Sequence, residues 1–354
     1  MSTFNRLSPS ILRSVLLSAA CVMVLAAVVL WPPAGAEAEA RAEPNAVVRI
    51  ATYNIEHFMR MFDQQLMPAR SRDRGELFRD EEDLYEVAAT IKLPHFDADI
   101  IGIQEGCTQE MLEHFNKEWL GGRYAFVRIF AGNTPGQTIG MLAKPGFEVL
   151  AVREDYHKRR DPVRDRSILR DKAFYGLDED NGLFCRGPAF VQFKTPTGQT
   201  LWVGVTHVKS KYGNNEAVTK WRIREMQMNR KIVGELLEDD PDGYLVMMGD
   251  FNDPFGMDRY EKAVGTDAVA VMLAGEGREK LLSPSAELAR RKPDLATYHC
   301  KIKPPKYRSF IDHVFCSPAL AERVTATSVI DDPIAVVASD HLPVMITVDL
   351  SEAD

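Results

Sequence analysis

Six short stretches of the chain place carboxylates, amides or imidazoles where an apolar run gives out. In order they are Tyr53-Asn54-Ile55-Glu56, Ile103-Gln104-Glu105, Thr206-His207, Gly249-Asp250-Phe251-Asn252, Ile311-Asp312-His313 and Ser339-Asp340-His341. The fourth is the most informative. It follows Tyr244-Leu245-Val246-Met247-Met248, a short apolar run bounded by Pro241-Asp242-Gly243, which is the pattern of a buried strand. Asp250 and Asn252, two residues apart at the tip of that strand, point the same way. A carboxylate suited to a hard cation and an amide able to donate to an oxyanion therefore share one spot. Alone, such a stretch reads equally well as a loop in which Asp and Asn make turn hydrogen bonds. Its recurrence at five other strand ends argues for a site.

The chemistry open to such a set is hydrolysis of a phosphate ester. That reaction needs a nucleophile from water, neutralisation of charge growing on the phosphate, and a proton for the departing oxygen. Glu105 directly follows the all-apolar run Ile100-Ile101-Gly102-Ile103 and is costly to bury unless something neutralises it, as a metal ion would. His341 supplies an imidazole whose tautomer and basicity a neighbouring carboxylate could set. A lone histidine is more often structural than catalytic, but His207 stands at a strand end like the other polar residues.

The elements that must position these groups follow from local patterning. Strands are expected at Val47–Tyr53, Ala98–Glu105, Tyr124–Phe130, Thr138–Ala143, Phe147–Val152, Arg186–Phe193, Thr200–Thr206, Tyr244–Met248, Phe310–Cys316 and Leu342–Val348. Pro196-Thr197-Gly198 signals a hairpin between two of them. Helices are expected at Glu81–Leu93, stopped by Pro94, at Thr108–Leu120, and at Trp221–Leu237, with Ile223, Met226, Ile232, Val233, Leu236 and Leu237 inward. Residues 57–79, with Arg70, Arg72, Arg74 and Arg79, read as a surface excursion, and 153–182 as an irregular, charged one. Residues 254–308 show weak periodicity and end in the basic stretch Lys301–Arg308. Helices alternate with strands while hairpins also occur, which predicts mixed sheets.

A chain of 354 residues, 45% apolar and 27% charged, has ample core for a globular domain. A net charge of −8 argues against non-specific coating of nucleic acid but leaves room for a local basic groove. Arg6 and Arg13 flank the start of the apolar run Ile11–Trp31, and Ala-x-Ala triplets end at Ala36, Ala38 and Ala40. Residues 1–40 thus read as a signal peptide or an N-terminal membrane anchor, 41–46 as a linker and 47–350 as the catalytic domain. Either form predicts export: a periplasmic, extracellular or membrane-anchored protein facing outside. Cys107, Cys185, Cys300 and Cys316 then allow three disulfide pairings, or remain as buried thiols.

The six stretches, in this order over roughly 47–350, resemble the endonuclease/exonuclease/phosphatase family of metal-dependent phosphodiesterases, which includes pancreatic-type DNase and neutral sphingomyelinase. The resemblance implies an α/β fold, a four-layer α/β sandwich of two mixed β-sheets flanked by helices, with the site at the top edges of both sheets. It implies Glu105 as the principal Mg²⁺ ligand, Asn54 and Asp340 close to the metal, and Glu56 as a second ligand, with Mn²⁺ an alternative cofactor. Asp250 and Asn252 would hold the attacking water and the scissile phosphate. His341, oriented by Asp312, would be base or phosphate contact, and His207 would protonate the leaving oxygen. Arg186 resembles the family's phosphate-side arginine, and Lys209 or Lys211 would hold a flanking phosphate. Thr206-His207 departs from the branch that repairs abasic DNA and, with export, favours a secreted nuclease acting on DNA or RNA. A phospholipid or sphingomyelin phosphodiesterase, a phosphoinositide or small-molecule phosphatase, and a non-catalytic binding protein on the same fold are the other readings. A monomer without a stable protein partner is expected.

Overall fold

A computed structural model describes residues 46–62, 81–132, 137–160, 182–213, 215–299 and 307–351. The apolar N-terminal segment, Arg70, Arg72, Arg74, Arg79, most of the 153–182 excursion, Cys300 and Lys301–Lys306 lie outside the described residues. Among the described residues no helix is long and apolar enough to cross a membrane.

Two mixed sheets form the centre. The first has six strands: β1 (Val47–Asn54), β2 (Ile100–Gly106), β3 (Phe126–Phe130), β4 (Thr138–Ala143), β12 (Val324–Val329) and β13 (Val344–Asp349), in the order β12-β13-β1-β2-β4-β3. The second has five: β5 (Glu148–Arg153), β6 (Ala189–Lys194), β7 (Thr200–His207), β8 (Tyr244–Asp250) and β11 (Asp312–Cys316), in the order β11-β8-β7-β6-β5. The side chains of β1 show why the sheets stack. Val48 and Ile50 enter the cluster between the sheets, while Ala51 and Tyr53 enter the cluster under the outer helices. In β8, Val246 and Met248 likewise face the other sheet, and Leu245 and Met247 face outward into a third cluster. Both faces of the central strands are thus covered, which is why they read as continuous apolar runs. Helix α1 (Glu81–Ile91) covers the first sheet through Leu84, Val87, Ala88 and Ile91. The long helix α3 (Glu216–Leu236) covers the second. Helix, sheet, sheet and helix make the four layers expected.

Pairing register then sets the chemistry side by side. β1 and β2 run parallel with Asn54 opposite Gln104, and β7 and β8 run parallel with His207 opposite Asp250. β11 runs antiparallel to β8 with Asp312 opposite Asp250. Three functional candidates from three distant stretches therefore stand in one row across the edge of the second sheet.

Several boundaries differ from the sequence reading for identifiable reasons. Helix α2 (Gln109–His114) is capped by Thr108, whose side chain accepts from Met111 N, and passes into a π-helical turn at Phe115–Trp119. α3 starts five residues before Trp221, because the Asn215 side chain caps it by accepting from Val218 N. The strand expected from Arg186 begins at Ala189, past Pro188, which has no N–H to give a ladder. Residues 58–62 are not a surface loop. They form a 3₁₀ turn that buries Phe58, Met59, Met61 and Phe62 in the core beneath the first sheet, with the Phe58 ring edge-on to Phe62 and Phe115 at 5.1 and 5.0 Å. The region 254–308 contains helices α4 (Arg259–Val264), α5 (Ala270–Leu273) and α6 (Pro284–Arg291) and the short pair β9 (Tyr298–His299) and β10 (Arg308–Ser309). Helices α7 (Pro318–Ala321) and α8 (Pro333–Ala338), and strand β12, were also not apparent in the sequence.

Cys107 and Cys316 are free and buried, and Cys185 is buried. Any complete pairing of the four cysteines would engage both Cys107 and Cys316, so none of the three pairings is present. Burial pushes the Cys107 and Cys316 thiols up. Both should resist a thiol reagent in the folded protein and react once it is unfolded, which titration with and without denaturant will measure.

Gly249 precedes Asp250 at φ 155, and a Cβ there would sit 2.0 Å from the Thr206 carbonyl oxygen of the neighbouring strand. Gly249→Ala should force β8 away from β7 and lower stability by about 1–3 kcal/mol, read as a fall in the midpoint of urea unfolding.

Candidate active site

The strand ends meet in a cleft of about 420 Å³ whose walls include His57, Glu105, Arg186, His207, Asp250, Asn252, Asp340 and His341. Four of its supporting residues, Glu56, His57, Glu105 and Asn252, have left-handed backbones with φ between 39° and 54°. Non-glycine residues adopt this region rarely and at a cost. Here it turns the chain sharply after β1 and β8 and bulges β2 at Glu105, where the pairing with β4 shifts between Ile103 and Gly106, so that side chains near the strand tips face one point.

Asp250 is the most connected group. It is 2% exposed, and its oxygens accept from Asn252 N at 2.7 Å, Asn252 Nδ2 at 3.1 Å and Asn54 Nδ2 at 3.1 Å. His207 Nε2 stands 3.3 Å from Asp250 Oδ2, and His341 Nε2 stands 3.9 Å from the same oxygen. Burial still raises the Asp250 carboxyl above its ordinary range, against the pull of His341 and the Asn252 amide. Asn54 lies beneath the cleft with its Oδ1 accepting from Glu56 N. Glu56 Oε2 in turn accepts from Asp340 N at 3.0 Å, which ties the loop before β13 to the end of β1.

His341 and Asp312 form a buried pair, Nδ1 lying 2.9 and 3.1 Å from the two carboxylate oxygens. The ring also packs on Tyr298 at 4.9 Å. Burial alone would favour the neutral ring, but Asp312, Asp250 and Asp340 outweigh it and hold His341 well above the usual histidine value. His207 in the same cleft is driven the other way: burial and the Arg186 guanidinium hold it well below. Arg186 is itself buried, donating from Nη1 to Gln137 Oε1 and from Nη2 to the Val208 carbonyl. Its Nε has no hydrogen-bond partner among the described residues.

Glu105 stands at the mouth of this set. Burial would raise its carboxyl, yet His57, His207, His341 and Arg186 together bring it down to about 2, so it is ionised throughout the working range. The only side chain within ion-pair distance of it among the described residues is His57, at 3.2 Å. An ionised, half-buried carboxylate facing a cleft with Asp340 on its wall is a donor set that fits a hard divalent cation. The oxygens and nitrogens of Asp250, Asp312 and His341 also lie within 4.8 Å of one another. Both Asp312 oxygens are engaged by His341 Nδ1, however, so that carboxylate is placed to orient the ring rather than to ligate an ion.

Of the residues singled out from sequence, Glu105, Arg186, His207, Asp250, Asn252, Asp340 and His341 line the cleft, while Asn54, Glu56 and Asp312 brace it from behind. Lys209 is the exception. It is 3% exposed, its ammonium donates to the Ser210 carbonyl at 2.9 Å, and it lies 5.8 Å from the Trp221 ring. It is not on the cleft wall; Lys211 is, held by Asp253 and Asp258. The side chain at 209 points away because it follows β7 into the layer under α3, where Lys209 N donates to the buried Glu225. His57, Gln137, Tyr298, Tyr212 and Tyr307 also line the cleft and were not picked out. For His57 a signal existed, since it adjoins the motif that ends β1.

A model of the Endonuclease/Exonuclease/phosphatase family matches residues 51–341. The chain belongs to this family of divalent-metal-dependent phosphoester hydrolases. No curated protein matches it in sequence. Among solved structures it is similar to truncated TDP2 from Caenorhabditis elegans, with a TM-score of 0.56 and 14% identity over 87% of this chain and 100% of that one. An endonuclease/exonuclease/phosphatase from Beutenbergia cavernae gives 0.56 and 16%, covering 87% and 72%. The human Nocturnin catalytic domain with bound sulfate gives 0.51 and 13%, covering 86% and 95%. At such identities the likeness is one of fold, and it confirms the sandwich architecture.

Because the folded-state value of His341 lies above that of the unfolded chain, its contribution to the stability of the metal-free protein is complete below about pH 6.5 and fades as pH rises through the folded value. Imidazole resonances followed by NMR should show His341 titrating above the ordinary histidine range, and Asp312→Asn should bring that titration down.

Proposed function

We propose that this protein is an exported, Mg²⁺-dependent phosphodiesterase that cuts nucleic acid. The observation that carries the reading is the convergence of Glu105, Asp250, the His341–Asp312 pair, His207 and Arg186 on one cleft. A divalent cation held by Glu105, with Asp340 and Glu56 in support, would supply positive charge to the phosphate and its leaving oxygen. The remaining work falls to the chain. Asp250, whose carboxyl is raised by burial, is suited to take a proton from the attacking water. His341, kept protonated by three carboxylates, grips a phosphate oxygen rather than acting as the base. Arg186 offers its free Nε–H to the same phosphate. His207 is neutral in the free cleft, and a phosphate arriving beside it brings the negative charge that favours its protonation. It then donates to the departing oxygen.

Exposed aromatic rings support a nucleic acid as the substrate. Tyr212 and Tyr307 are 73% and 54% exposed and both line the cleft, where flat bases could stack on them. The zebrafish TDP2 that shares this fold, at 14% identity and a TM-score of 0.52, was solved with a single-strand DNA product. Export is supported by the basic, apolar and small-residue order of the first forty residues.

Nicking of supercoiled plasmid with Mg²⁺ tests the proposal. Activity should vanish in excess chelator and return with added metal; nicking that persists in chelator would remove the metal from the mechanism. Asp250→Asn and His341→Ala should each lower kcat roughly 10²–10⁴-fold with the fold intact by circular dichroism. Turnover of sphingomyelin or phosphoinositides without turnover of DNA or RNA would replace the substrate.

A further inference from the structure

His57 occupies the cleft without a part in the chemistry described so far. It follows Glu56 in the turn off β1 at φ 54, a conformation that glycine or asparagine would hold more easily. Its backbone N–H donates to Glu105 Oε2 at 3.0 Å. Any residue could make that bond, so it does not explain an imidazole at this position. The side chain does something more specific: Nδ1 lies 3.2 Å from the same Glu105 oxygen, and the ring, 37% exposed, lines the cleft.

That spacing is the one two neighbouring ligands adopt on a single cation. Donors each bound at about 2.1 Å and at right angles lie about 3.0 Å apart. The left-handed turn thus brings an imidazole nitrogen beside the half-buried Glu105 carboxylate, which faces the cleft with no lysine or arginine partner among the described residues.

We propose that His57 Nδ1 is a ligand of the metal held by Glu105. The inference rests on the reading of Glu105 as a metal ligand given above and adds a nitrogen donor to a site otherwise built from oxygen. Mg²⁺ favours oxygen, whereas imidazole suits the transition-metal dications. The site therefore binds Mn²⁺ more tightly than Mg²⁺, and His57 is the origin of the difference.

The test uses the full-length protein and Mn²⁺ itself, with no substrate present. Free Mn²⁺ is counted by electron paramagnetic resonance during titration, and Mg²⁺ affinity is obtained by competition. Electron spin echo modulation then reports whether a ¹⁴N nucleus is bonded to the bound Mn²⁺. The wild-type protein should show histidine nitrogen modulation. His57→Gly and His57→Asn, both compatible with the left-handed backbone, should lose it and bind Mn²⁺ at least about tenfold more weakly while Mg²⁺ affinity changes less. Nitrogen modulation that is missing in the wild type, or that persists in both variants, overturns the inference. So does an unchanged Mn²⁺ affinity in both. Glu105→Gln separates the two claims. If it abolishes Mn²⁺ binding while the His57 variants bind as the wild type does, only the role of His57 falls. If it binds Mn²⁺ undiminished, the metal reading of the cleft falls as well.

Discussion

A carboxylate with 2% of its surface exposed governs this molecule. Taking the Asp250 charge out of water is costly unless hydrogen bonds and opposite charge replace the lost hydration. The replacements come from everywhere: Asn252 from its own turn, His207 from the next strand, Asn54 from the other sheet, and His341 from the approach to the last strand. Satisfying one group therefore fixes the edges of two sheets against each other. The network that makes the burial tolerable is the same network that holds the reacting groups in place.

The backbone carries a matching strain. Of five described non-glycine residues at positive φ, four border the cleft. A strand that ended in ordinary extended or helical geometry would carry Glu105 and Asn252 past the focus. The left-handed turns cost stability locally, and the apolar layers on both faces of the central strands provide the surplus that tolerates them.

Electrostatics separates two histidines a few ångströms apart in one cleft. His341 is surrounded by Asp312, Asp250 and Asp340 and favours its charged form, while burial, with Arg186 beside it, makes His207 favour the neutral one. Two chemically identical rings are thereby given different tasks by their neighbours, as environments commonly do for paired acid and base groups.

The amino-acid sequence by itself determined the layers and the strand tips. Short apolar runs bounded by turn residues, such as Leu245–Met248, read as strands covered on both faces, and the recurrence of polar residues at their ends pointed to a sheet edge. Asp250, Glu105 and His341 were legible for that reason. The tertiary structure alone decided which groups face the cleft and in what state. Lys209 and Lys211 are indistinguishable in a linear reading, yet one turns under α3 and the other joins the wall. His57 became visible only once a left-handed turn laid its ring against Glu105, a residue 48 positions away. Phe58–Phe62 looked like the start of a charged loop, because the cavity it fills exists only after β1, α1 and the turn at Phe115 have packed together. Local pattern fixes burial and direction along a strand, whereas distances across strands and the charges they shift arise from register, which no single stretch contains.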